Sequence, residues 1–148
     1  MMRMLFEPTH NVMLTEFFGT FTLADLANLD GFISRFMVGR SHDISGILDF
    51  SRVDKIAVTA AQVSGRAQQP QIRRGQRRIL VAASAEAYGL SRMFAAFQAA
   101  RGNTEPEVVR SIQEAYSLLG LVDSRFEEID EMKTDEVKAD EASASDGT

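Results

Sequence analysis

Asp49 and Ser51 close an apolar run, Ser45-Gly-Ile-Leu-Asp-Phe-Ser51, and a second run, Arg78-Ile-Leu-Val-Ala-Ala-Ser84, ends on small and polar residues in the same way. An acid at the end of an apolar strand needs a partner if it is buried, because desolvating a carboxylate is costly. Thr59 falls in the segment after the first run, and Arg92 on the segment after the second. Read as parallel strands, the two runs place their carboxyl ends along the edge where open α/β sheets take ligands. Asp49, Ser51, Thr59, Ser84 and Arg92 gather there as candidate partner-binding residues, with Asp49 the first choice. Ser51 and Ser84 also have a simpler reading, as turn and cap residues.

Little else has the pattern that catalysis needs. His10 and His42 are the only histidines, and His42-Asp43 reads as a solvated loop pair. Cysteine is absent, which removes disulfides, thiolate zinc sites and a Cys nucleophile. A metal site needs three or four convergent ligands, and no such spacing occurs. Phosphate-loop, dinucleotide and nucleophile-elbow glycine motifs are missing as well. The expectation is a non-enzyme with no cofactor and no metal. Arg73, Arg74, Arg77 and Arg78 form a basic cluster. It reads as an anion or nucleic-acid patch, as a solvated connection into a strand, or as a surface over which the acidic segment 126–148 folds back. No aromatic residue interleaves to stack on bases, so no nucleic-acid partner is expected.

The elements that must position these residues follow from hydrophobic spacing. Met4–Phe6 and Val12–Phe18 flank Pro8 and Asn11 and read as a β-hairpin, with Gly19 ending its second strand. Thr22 caps a helix running to about Met37, with Leu23, Leu26, Ile33 and Phe36 at helical spacing and Asp25 in the first turn. Ile44–Phe50 is the first buried strand, followed by a helix over about Ile56 to Ala67. The second buried strand runs from Arg77 or Arg78 through Ala83. Ser84 caps a long helix, Ala85–Arg101, on which Leu90, Met93, Phe94 and Phe97 make one apolar stripe. Glu107–Arg110 reads as a third strand, and Ser111 with Glu114 as a capping box opening the helix Ile112–Leu119. Strands apolar on both faces, each trailed by a helix, imply a sheet covered on both sides.

The fold class expected is therefore α/β. It is a single small domain with an N-terminal β-hairpin, about three parallel strands in a mixed sheet, and about four helices. A chain of 148 residues is large enough for one core. Its net charge of −5 is uneven: residues 1–125 hold 14 Lys and Arg against 12 Asp and Glu, residues 126–148 hold 2 against 9. Residues 1–125 are read as the domain, and 126–148 as an acidic, largely disordered tail. No apolar run approaches a membrane span and the start is unlike a secretory signal, so a cytoplasmic location is expected. Aromatic residues such as Phe17 or Phe21 have two readings, an exposed homodimer surface or a hairpin face buried under helices.

Three segments in this order resemble the SpoIIAA-like, or STAS-type, domains of bacterial anti-sigma factor antagonists, which are related in fold to CRAL-TRIO lipid-binding domains. Gly46-Ile-Leu-Asp-Phe-Ser-Arg-Val53 resembles the strand ending in Asp-x-Ser, and Tyr88-Gly-Leu-Ser-Arg-Met-Phe94 a segment of unassigned role. Val109-Arg-Ser-Ile-Gln-Glu-Ala-Tyr-Ser-Leu-Leu-Gly120 resembles the final strand and helix. The resemblance implies a regulatory protein that binds a protein partner, an anti-sigma factor or a related regulator, through the strand-end surface. Phosphorylated antagonists carry Asp-Ser-Ser-Gly where this chain has Ala57-Val-Thr-Ala60, so Thr59 stands at the serine position without its Asp and Gly neighbours. The CRAL-TRIO kinship implies an alternative. A small apolar ligand would lie under the 85–101 helix against Leu90, Met93, Phe94 and Phe97, with Gly89 as a hinge.

Overall fold

The computed structural model describes residues 1–40, 43–69 and 76–129. Ten elements follow in order: β1 (Met2–Glu7), β2 (Val12–Phe21), α1 (Leu23–Phe36), β3 (Ser45–Ile56), α2 (Ala60–Ala67), β4 (Arg78–Val81), α3 (Ala85–Ala100), β5 (Glu107–Val109), α4 (Ile112–Leu118) and β6 (Glu127–Glu128). They form one six-stranded sheet in the order β5-β4-β3-β2-β1-β6. β1 is antiparallel to β2 and β6, while β2, β3, β4 and β5 run parallel. Ile47 and Leu80 stand on adjacent strands of this mixed sheet, so the chain is a small α/β domain.

The handedness of crossovers explains the layers. From β2 to β5 each connection steps the same way across the sheet, and right-handed crossovers then put every helix on one face. α1, α2 and α3 pack there, bringing Phe32, Val63 and Phe94 against Met13 and Phe17 of the sheet. The connection from β5 to β6 steps back to the far edge, which places α4 on the opposite face over Leu14, Ile47, Ile79 and Val81. Strand alternation sorts the side chains: Ile47 and Asp49 face α4, whereas Leu48 and Phe50 face the three-helix layer.

Several expected boundaries shift. β2 continues to Phe21 instead of ending at Gly19, because Gly19 adopts φ +70° within a bulged stretch of the β2–β3 pairing. β3 runs on through Ile56, so Ser51–Ile56 is strand rather than loop and helix start. The α2 N-cap is Thr59, where a capping box with Gln62 sets the first turn. In α1 the buried positions are Asp25, Leu29, Phe32 and Phe36, and Leu23 is exposed. Asp25 reciprocates the Thr22 cap. Ser111 accepts from Glu114 N–H, but the Glu114 carboxylate accepts from Arg110 N–H, one residue outside the expected box. Phe17 and Phe21 are buried and in ring contact, so they lie in the core and not on a dimer surface. The sheet takes in Glu127–Glu128, and Phe126 stacks on Tyr116, past the expected domain end at 125. The acidic tail from residue 130 onward lies outside the described residues, as do His42, Arg73 and Arg74. Among the described residues no helix is long and apolar enough to cross a membrane.

Candidate functional site

The five strand-end candidates do not converge. Asp49 sits within β3, beside Glu16 and Val81 in the register, on the α4 face. It is 6% exposed, and its Oδ1 accepts from the Ser51 N–H at 2.9 Å, which supplies the partner its burial requires. Ser51 is exposed. Thr59 and Ser84 head helices in the opposite layer, their hydroxyl oxygens accepting from Gln62 N–H and Ala87 N–H. Arg92 is exposed on α3. A sheet therefore separates Asp49 from the two caps, because strand alternation turns Asp49 to the α4 face while α2 and α3 lie on the other.

The basic cluster is divided in the same way. Arg77 and Arg78 are consecutive, so the pleat sends them to opposite faces. Arg77 makes a bidentate pair with Glu107, at 2.6 and 2.9 Å, and donates to Leu118 O. That pairing raises Arg77 and holds Glu107 below the usual carboxylate range. Arg78 turns into the three-helix layer, donating through Nη2 to Gln98 Oε1 at 3.0 Å and to Thr104 O at 2.7 Å. Burial, helped by the neighbouring Arg66 charge, lowers its guanidinium to about 10.

What the structure does bring together is a hollow between that layer and the sheet. Two cross-strand rows make its floor: Met13, Gly46 and Arg78, then Thr15, Leu48 and Leu80. α1 contributes Leu29, Asp30 and Ile33, and α3 contributes Phe94 and Gln98. The chamber measures about 300 Å³. A narrower space of about 80 Å³, almost wholly apolar, adjoins it and shares Leu48, Arg66, Leu80 and Phe94. Its far walls are Phe21, Phe50, Ile56 and Leu90. Gly46 leaves room on the floor, since a Cβ there would meet only the Gln76 side chain, at a van der Waals distance of 3.7 Å. Asp30 and Arg66, both in the chamber lining, join α1 to α2 through two parallel hydrogen bonds.

The expected α3 stripe is displaced around the helix. Its buried residues are Ala87, Ser91, Ala95 and Gln98, because small side chains let the helix lie close to the sheet. Leu90 and Phe94 flank this seam and line the hollow, Met93 packs against the core without lining it, and Phe97 is 37% exposed. α3 runs unbroken through Gly89. Sequence reasoning missed Met13, Thr15, Gly46 and Gln98. The one signal for them was Gln98 itself, a polar residue that falls on the Ala face of a helix. Among the described residues no three His, Asp or Glu side chains are arranged to hold a metal ion.

No family model matches the chain, and no curated protein does. Among solved structures it is similar to an uncharacterized protein from the DUF3478 family with a SpoIIAA-like fold from Shewanella loihica PV-4. The two share 12% identity, the match covers 73% of this chain and 83% of that one, and the TM-score is 0.48. Among the described residues, strand order and helix placement give a small α/β domain with a mixed six-stranded sheet and four helices.

Proposed function

We propose that this protein binds a small, largely apolar molecule in the hollow between the sheet and helices α1 and α3. The observation that carries the reading is the continuity of a chamber of about 300 Å³ with an apolar extension, both walled by Leu48, Leu80 and Phe94. The chamber is at the lower end of the ~300–1,000 Å³ range of small-molecule pockets. The protein is a binder and not a catalyst on this reading, since Asp49, Thr59 and Ser84 spend their oxygens on local backbone N–H groups and none lines the hollow. Native mass spectrometry of protein purified gently from cells tests it. A bound mass of a few hundred daltons that is lost on organic extraction is expected; the apo mass alone would contradict the reading.

A protein partner on the strand-end surface is the second reading, favoured by the overhang of β3. β4 pairs only with Gly46–Asp49, so Phe50–Ile56 have β2 on one side and no strand on the other among the described residues. Extended peptides add to such edges. Amide exchange distinguishes the two: a partner docked there slows exchange at 51–56, and a complex that leaves those amides unchanged removes this reading.

A further inference from the structure

Within the hollow the charges do not balance. Asp30 and Arg66 neutralise each other, and among the described residues no carboxylate lies within ion-pair distance of Arg78. Arg78 Nε is buried and has no hydrogen-bond partner. Its Nη2 bonds reach only neutral oxygens, on Gln98 and Thr104. Gln98 is 2% exposed and is itself fixed by donating Nε2 to Ala67 O at 2.7 Å, so it holds the guanidinium in place. A partly buried cation with an idle donor is costly unless an anion compensates it, and a guanidinium suits a carboxylate in shape. The wall beside it is apolar: Leu48 and Leu80 on the floor, Phe94 above, with the Arg78 guanidinium carbon 6.0 Å from the Phe94 ring centre.

Resting on the reading that the hollow binds a small apolar molecule, we propose that its ligand is an anionic amphiphile, a carboxylate on a medium-length alkyl chain. The carboxylate sits against Arg78, and the chain runs over Leu48, Leu80 and Phe94 toward Phe50. Arg78 is the specificity-determining residue, and Gln98 positions it.

Calorimetric titration with decanoate, decanol and acetate tests this. Unmodified protein is expected to bind decanoate at least about tenfold tighter than decanol, the effect of one charge-assisted contact, and acetate far more weakly than either. Arg78→Met is expected to keep decanol binding and abolish the preference, while Arg78→Lys retains part of it. Decanol binding by Arg78→Met also reports that the variant is folded. Independently of any variant, the Arg78 Nε–H NMR resonance should move with decanoate and stay with decanol. Equal binding of decanoate and decanol overturns the head-group assignment and leaves the apolar hollow standing. Acetate binding as tightly as decanoate overturns the amphiphile and leaves an anion site. Failure of both ten-carbon compounds overturns the underlying reading.

Discussion

Asp30 on α1 and Arg66 on α2 are joined by two parallel N–H···O bonds and are 25–33% exposed, so a single pair ties two helices together over the hollow. Both residues line the chamber, so the pair fixes part of its wall as well as the spacing of the two helices.

Asp30→Asn should leave Arg66 half-buried and unpaired. The partial exposure limits the cost to about 1 kcal/mol, between the surface and fully buried cases. Chemical denaturation measures it, and the Asp30→Asn/Arg66→Met pair should recover part of the loss. The same substitution should speed ligand exchange, since it unties two helices that wall the chamber.

Gly46 offers the converse test. Its backbone is outside the positive-φ region, and the added Cβ meets nothing closer than 3.7 Å. Gly46→Ala should therefore be neutral or stabilising by up to about 1 kcal/mol, because Gly costs chain entropy in a strand. Gly46→Leu should fill the chamber and abolish decanol binding while circular dichroism stays unchanged.

Glu7 is 2% exposed. Burial pushes its carboxyl up, but hydrogen bonds from His10 N–H, Thr9 N–H and the His10 ring outweigh this and hold it below its ordinary 4.5. A carboxyl lowered on folding stabilises above its unfolded value, and the contribution is lost as pH falls through the folded value. Glu7→Gln should cost about 1–3 kcal/mol at pH 7, with the gap to the unmodified protein constant down to about pH 5 and closing below it. Urea melts across pH 3–7 check this.

Tyr116 is raised above its usual value by burial first, then by the charges of Glu16 and Asp49. Asp49→Asn removes one of those charges and keeps an oxygen to accept from Ser51 N–H. Ultraviolet titration should show the Tyr116 phenol ionising at lower pH in the variant. An unchanged curve would mean that Asp49 and Tyr116 do not share the α4 face as described.

The order of elements was legible because the signals for it are local. Thr22, Ser84 and Ser111 each cap a helix, and paired apolar runs mark the strands; the Thr59 cap was hidden because the helix looks as if it starts at Ile56. The length of β3 was not legible. Ser51-Arg-Val-Asp-Lys55 looks like a loop, and only pairing with a bulged β2 makes it strand. The hollow was half legible for a related reason. Leu90 and Phe94 stood out as large apolar residues on α3, but the floor comes from register, which sets Gly46 beside Arg78 although they are far apart in sequence. The Arg77–Arg78 pair showed as charge without direction, and the pleat supplied the direction. β6 escaped notice because Glu127–Glu128 has no strand-like composition and is held by backbone pairing to Leu5 and Phe6.

The central claim is that a small molecule occupies the space over Leu48 and Leu80 beneath Phe94. Isotope-filtered NOE spectroscopy of the labelled protein with unlabelled decanol tests it most directly. Cross-peaks from the chain methylenes to the Leu48 and Leu80 methyls and the Phe94 ring are predicted. Their absence at saturating decanol, or cross-peaks confined to Ile112, Tyr116 and the rest of the α4 face, would contradict it.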